Sequence, residues 1–213
     1  MKRNLIIAFF VLTGILQSNA QVTFKPGINA GLNVSKIQNT NLDSKLGFYF
    51  GAFGALKLSS FYTLQPEISY SVQGGKGTVV GTDVFYDNQT GYETYMYKEG
   101  EAELALSYIS SATINKFNLN KSLYVLVGPF VDILVGSSSS VDLDNNYNIY
   151  ISKGEDIDFG IIGGVGFNFN KGLALESRIK IGTRDAYDDH QDNIDVNSNL
   201  VFQFGGTYTF DFK

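Results

Sequence analysis

The chain has 213 residues, with 17 Phe, 13 Tyr and 23 Gly, only three Pro, and neither Cys nor Trp. The missing Cys excludes a disulfide framework, a thiolate metal site and a thiol nucleophile. A formal charge of −5 argues against nucleic acid as a partner, because phosphate binding needs a concentrated basic face.

The first stretch, "MKRNLIIAFFVLTGILQSNAQ", sets Lys2 and Arg3 ahead of an apolar run from Leu5 to Leu16 and ends on small residues at Ser18 and Ala20. This pattern predicts an export signal over 1–20, cut after Ala20. The apolar run is shorter than the roughly 20 residues a spanning helix needs. Gln21 stands where a lipoprotein would carry Cys, so the expected mature protein is a single domain over 21–213 without a lipid anchor.

Eight alternating segments follow, each with the period of two that marks a strand. The first, 24–35, sets Phe24, Ile28, Ala30, Leu32 and Val34 against Lys25, Asn29, Asn33 and Ser35. The second, 46–58, is apolar on both faces. The third, "FYTLQPEISYSVQG" (61–74), places Tyr62, Leu64, Ile68, Tyr70 and Val72 opposite Gln65, Glu67, Ser71 and Gln73. In the fourth, 102–114, Leu104, Leu106, Tyr108 and Ile114 oppose Glu103, Ser107, Ser111 and Thr113. The fifth, 123–135, carries a Val/Ile row with Asp132 on its other face, and the sixth, 158–169, a Phe/Ile/Val row opposite Asp158. The seventh, 173–181, sets Leu173, Leu175, Ile179 and Ile181 against Glu176, Arg178 and Lys180, and the eighth runs over 200–212.

These segments are about 9–13 residues long, the reach of a tilted membrane strand and longer than the usual globular strand. Their connections alternate: short around Ser59-Ser60, at "NKFNLNK" and at "NKG", longer and polar at 73–101, 137–155 and 183–198. Outer-membrane barrels have short periplasmic turns and longer external loops. The expectation is therefore all-β: an eight-stranded antiparallel up-and-down transmembrane β-barrel, apolar rows toward lipid and polar rows toward the lumen. Closure follows because an open edge in hydrocarbon leaves unpaired N–H and C=O groups, each costing several kcal/mol. Pro26, Pro66 and Pro129 fall inside strands, where each removes a ladder donor and predicts a bulge or a wet partner for the neighbouring carbonyl.

Segments 47–76, 123–136 and 158–169, with the terminal "GGTYTFDF", resemble the PorT-like outer-membrane β-barrel family of Bacteroidetes. The resemblance covers essentially the whole mature chain. It implies a barrel in the outer membrane, inserted by the barrel-assembly machinery, and it implies no particular activity.

Glu67, Glu103, Asp132, Asp158, Glu176, Arg178 and Lys180 are all predicted to face inward. An eight-stranded barrel is just wide enough for side chains to fill, so a paired structural plug is the reading, with proton transfer between carboxylates as the alternative. His190, the only His, lies in "RDAYDDHQDNID", which reads as a solvated acidic loop and otherwise as part of a barrel hydrolase. "DLDNNYN" (142–148) lacks the Gly and terminal Glu of a Ca²⁺ loop. Divalent cations bridging the acidic loops to lipopolysaccharide are the weaker reading of those acids. Tyr86, Tyr92, Tyr95 and Tyr97 sit among charges and suit recognition of an external protein or glycan, within a hairpin extending beyond the membrane. No cofactor, catalytic residue or metal ligand is expected. The function expected is a structural or loop-binding outer-membrane barrel in contact with outer-membrane lipid, without turnover. The alternatives are a membrane-embedded hydrolase and a soluble lipocalin-like barrel.

Overall fold

The computed structural model describes residues 22–86, 93–142, 152–169, 172–188 and 196–211. Ten strands lie among them: β1 (Thr23–Ile37), β2 (Asp43–Lys57), β3 (Tyr62–Tyr86), β4 (Glu93–Asn118), β5 (Leu123–Asp142), β6 (Ser152–Lys153), β7 (Ile157–Asn168), β8 (Leu173–Gly182), β9 (Tyr187–Asp188) and β10 (Asn199–Thr209). The proposed leader over 1–20 lies outside the described residues. Eight strands close a barrel in the order β1-β10-β8-β7-β5-β4-β3-β2, and β6 pairs with β9 as a small separate ladder. Every pairing is antiparallel, and β1 meets β10 from Gly27↔Thr209 to Ile37↔Asn199, so the wall has no open edge. Among the described residues no helix is long and apolar enough to cross a membrane.

The period-two rows sort as lipid outside and polar side chains inside. Ile28, Leu32, Phe48, Phe50, Ile68, Val131, Phe159, Ile161, Ile179 and Phe204 are exposed, while Asn29, Asn33, Gln65, Ser71, Gln73 and Gln203 are buried. A soluble lipocalin-like barrel has the reverse arrangement, so that alternative falls: an exterior this apolar needs hydrocarbon around it.

The fourth segment reverses the expectation. On β4 it is Leu104, Leu106, Tyr108 and Ile114 that are buried in the lumen, while Glu103, Ser111 and Thr113 face outward. The cause is the pairing with β3. Directly paired residues share a face of the sheet, and the lumen row Gln73, Ser71 and Gln65 lies opposite Leu106, Tyr108 and Ile114. The phase of β3 therefore dictates that of β4, whatever its own polarity.

The prolines do not break register. Pairing of β2 with β3 keeps one register from Phe53↔Glu67 to Leu56↔Leu64, across Pro66. Pairing of β4 with β5 does the same from Ala112↔Phe130 to Asn115↔Val127, across Pro129, and β1 pairs through Pro26 with Gly54. Each Pro removes a donor without adding a residue. Register shifts fall elsewhere, between Ser44 and Tyr49 and at Ser107/Tyr108, where Val135 is the extra residue. Gly74 lies within the span of β3 facing the first shift and takes φ 129°. A Cβ there would come within 2.0 Å of the Leu104 carbonyl oxygen, so the close approach of β4 needs glycine.

The two ends differ. Short turns join β2 to β3, β4 to β5 and β7 to β8 at the end that also holds the start of β1 and the end of β10. This is the periplasmic end by the rule for such barrels. At the other end β3 and β4 stay paired from Tyr62↔Phe117 to Tyr86↔Glu93, well past the last β2 partner at Lys76. At about 3.3 Å per residue the ribbon beyond that point extends some 30 Å.

Candidate functional site

The lumen has two unlike walls. β4, β5 and β7 contribute Ile114, Tyr124, Leu126, Phe130 and Ile162, which cluster with Ala174. Toward the outer mouth Leu104, Leu106 and Tyr108 pack with Ile37, Leu42 and Ala186. The opposite wall is polar, and the charges meet between the two.

Arg178 on β8 is the hub. Its Nη1 donates to Glu67 Oε2 at 2.8 Å and its Nη2 to Glu67 Oε1 at 2.8 Å, a bidentate pair. β8 and β3 stand four places apart in the ring of eight, so this pair spans the full bore. Arg178 Nε also donates to Glu176 Oε2 at 2.7 Å. Glu176 Oε1 in turn accepts from Lys116 Nζ at 2.7 Å and from the Tyr124 hydroxyl. Glu67 is further held by the Gln65 amide at 2.6 Å and the Asn29 amide at 3.3 Å. Glu176 and Arg178 are 1% and 3% exposed, a depth at which an ion pair is tolerated only when its remaining donors and acceptors are also met.

A second pair lies one step outward along β8. Lys180 Nζ donates to Asp132 Oδ1 at 2.7 Å and Oδ2 at 2.6 Å, and to Ser110 Oγ at 3.0 Å, while the Gln73 amide donates to Asp132 Oδ2 at 3.0 Å. The apolar wall also receives the ammonium groups. Lys180 Nζ lies 4.1 Å from the Phe130 ring centre and Lys116 Nζ 4.8 Å from that of Tyr124. Tyr124 packs against Gly166, where a Cβ would come within 2.1 Å of its Cζ.

Of the residues read from sequence as a lumen network, Glu67, Asp132, Glu176, Arg178 and Lys180 come together. Asp158 is buried beside the second pair, as the cross-strand partner of Asp132, but its Oδ1 accepts the backbone N–H groups of Thr183 and Arg184, both at 3.0 Å, and so anchors the chain as it leaves β8. Glu103 is a correction. It lies on the outward row of β4 with its side chain 52% exposed and meets Lys45 at 3.2 Å, because the inverted phase of β4 turns it away from the lumen. The same inversion brings in Lys116, two residues beyond Ile114, which the sequence reading missed. Tyr124 was missed because an apolar-looking ring raised no expectation of a polar contact.

In the projecting ribbon Tyr86 pairs with Glu93, Tyr95 with Val84 and Tyr97 with Thr82. Tyr95 and Tyr97 are exposed. Tyr92 and His190 lie outside the described residues, as do 143–148 of the Ca²⁺-loop candidate. Among the described residues no group of three or more His, Asp or Glu side chains is placed to hold a metal ion.

Several solved structures resemble the chain. Neisserial surface protein A is 14% identical, with 89% of this chain and 97% of that one covered and a TM-score of 0.48. Ail, the attachment invasion locus protein of Yersinia pestis, is 13% identical over 88% and 97%, with a TM-score of 0.46. OprG from Pseudomonas aeruginosa is 10% identical over 90% and 98%, with a TM-score of 0.42. No match was found among curated proteins. The family described as the outer membrane protein beta-barrel domain matches residues 16–188, most of the chain. The protein belongs to that family and is an outer-membrane β-barrel protein.

Proposed function

We propose that this outer-membrane barrel is a non-catalytic scaffold: the lumen is sealed by its ion pairs, and the projecting β3–β4 ribbon presents a surface to an external protein or glycan. The observation that carries the reading is the bidentate Arg178–Glu67 pair between opposite walls at 2.8 Å. A side chain fixed across the bore at both carboxylate oxygens closes the path a porin leaves open. The network is structural in this reading. Glu67, Glu176 and Asp132 are each held by a cation, which leaves no carboxylate among them poised to exchange protons with a substrate. Exposed Tyr95 and Tyr97 supply amphipathic contact area of the kind found at recognition surfaces, and the same proposal assigns Tyr86 and Tyr92 to that role.

The finer assignments belong to the same proposal. The chain is a PorT-like member of its family, its leader is removed after Ala20, and the barrel-assembly machinery inserts it into outer-membrane lipid. N-terminal sequencing of protein from the outer-membrane fraction is expected to read from Gln21.

Planar-bilayer recording tests the seal. The refolded protein is expected to give no steps of porin size, and porin-like conductance at neutral pH overturns the plug. Turnover of lipid or peptide substrates that disappears with His190→Ala overturns the non-catalytic assignment.

A further inference from the structure

Charge is segregated along the barrel axis. Acids dominate the outer end of the described residues, with Asp43, Glu99, Glu101, Asp142 and Glu155 among them, whereas the short-turn end carries Lys25, Lys57 and Lys121 against Asp211. Lys25 is tied to Asp211 at 3.0 Å. Lys57 and Lys121 have no ion-pair partner among the described residues.

Those two lysines flank one cleft of about 570 Å³, lined also by Ser60, Thr63, Asn118, Asn120 and Asn168, with Phe61 and Leu119 at its lip. The cleft lies on the lumen side of the rim. Lys57 pairs with Thr63, and by alternation continues the inward row of Tyr49 and Phe53, both buried. It is also built. The Asn118 backbone N–H donates to the Phe61 carbonyl at 2.7 Å, and its side-chain amide to the Ser60 carbonyl at 3.3 Å, joining the β2–β3 turn to the end of β4. Asn120 Oδ1 accepts from the backbone N–H groups of Ser122 and Leu123, both at 2.8 Å. Its acceptor end is thus occupied, and its NH₂ is the end left for another group. Among the described residues no carboxylate lines the cleft.

We propose that this periplasmic mouth is a binding site for an acidic peptide, with Lys57 and Lys121 each meeting a carboxylate and the Asn side chains meeting the peptide amides between them. Two ammonium groups carried by different turns select a ligand with spaced negative charges over a single small anion. Side-chain amides both donate and accept, which matches a peptide backbone better than it matches a phosphate. A phospholipid headgroup would approach from the other side of the wall, where the Tyr62 and Phe117 rings meet at 5.6 Å, tilted by 33°. The acidic outer end repels the same ligand, so the site has a direction.

The test uses the full mature chain in nanodiscs of zwitterionic phosphatidylcholine and fluorescence anisotropy of a dye-labelled peptide of alternating Glu and Gly. Binding is expected to weaken on raising the salt from 50 to 500 mM and to fall about tenfold or more when Gln replaces Glu in the peptide. The doubly substituted Lys57→Gln/Lys121→Gln protein is expected to show the same loss while keeping its heat-modifiable gel mobility, and Lys76→Gln at the outer end to show none. Equal affinity for the Gln peptide, full affinity in the double variant, or equal loss with Lys76→Gln overturns the site. If the double variant does not fold, salt-independent binding by the unsubstituted protein overturns it alone. Abolition of peptide binding by phosphatidylglycerol in the nanodisc makes the cleft a lipid-phosphate site instead, which also overturns the proposal.

Discussion

β8 and β4 stand three places apart in the ring around one lumen and spend their side chains in opposite ways. β8 keeps Leu175, Ile179 and Ile181 for lipid and turns Glu176, Arg178 and Lys180 inward, whereas β4 buries Leu104, Leu106, Tyr108 and Ile114 and leaves Ser111 and Thr113 outside. The lumen of a small barrel is a packed core, and a core needs apolar filling beside its charges. The charges of β8 are tolerable because each is paired and the apolar side chains of β4, β5 and β7 surround the pairs: low local polarity strengthens them and penalises any group left single.

This contrast can be broken most severely at its hub. Arg178→Met leaves Glu67 without a cation and Glu176 with Lys116 as its remaining one, and denaturant unfolding of the refolded barrel is expected to show a loss of about 3–5 kcal/mol. Replacing Glu67 and Arg178 together by neutral residues of similar volume is expected to recover most of that loss, since Glu176 keeps Lys116 and no single charge is left behind. Leu106→Ala on the dry wall is expected to cost about 2–5 kcal/mol by the same measurement, and Leu175→Ala on the lipid side of β8 clearly less, because hydrocarbon closes over the missing atoms. Equal losses at the two positions would mean that β4 does not bury its apolar row. Ile179→Arg, on the outer row of β8, is expected to cost about 2–4 kcal/mol if it lies near mid-membrane, falling toward 0–1 if it lies near an interface. Glu103→Gln is the smallest case. Its carboxylate is half exposed although Lys45 is buried, and the change is expected to cost about 1 kcal/mol.

Six of the eight transmembrane rows were legible because one face of each strand meets lipid and the other does not, which is a strong constraint on residue type; β2, apolar on both faces, gave no such contrast. β4 was misread for a physical reason: alternation reports that two faces differ, not which of them points outward. The assumption that greasy means lipid-facing fails wherever the lumen itself holds apolar filling. Correct phasing needed the register against β3, a long-range fact that no window of β4 contains. The ion pairs were legible as a set of inward charges on β3, β5 and β8, but not as partners. That Arg178 reaches Glu67, 111 positions earlier, follows only once the ring order is known. Asp158 was legible as buried and not as a loop anchor, because its partners are backbone groups. The prolines misled in the other direction, since a missing donor is a lost bond and does not by itself demand an extra residue.

The seam between β1 and β10 has a consequence for biosynthesis. Because the strand made first must join the strand made last, the cylinder cannot be completed until residue 209 has arrived, and all earlier pairings can form while the sheet is still open. A translation product that stops before residue 199 lacks the zipper and retains two sticky margins, on β1 and β8. It is therefore the species that proteolysis in the periplasm should remove, and ring closure serves as the chain's own proofreading of its length.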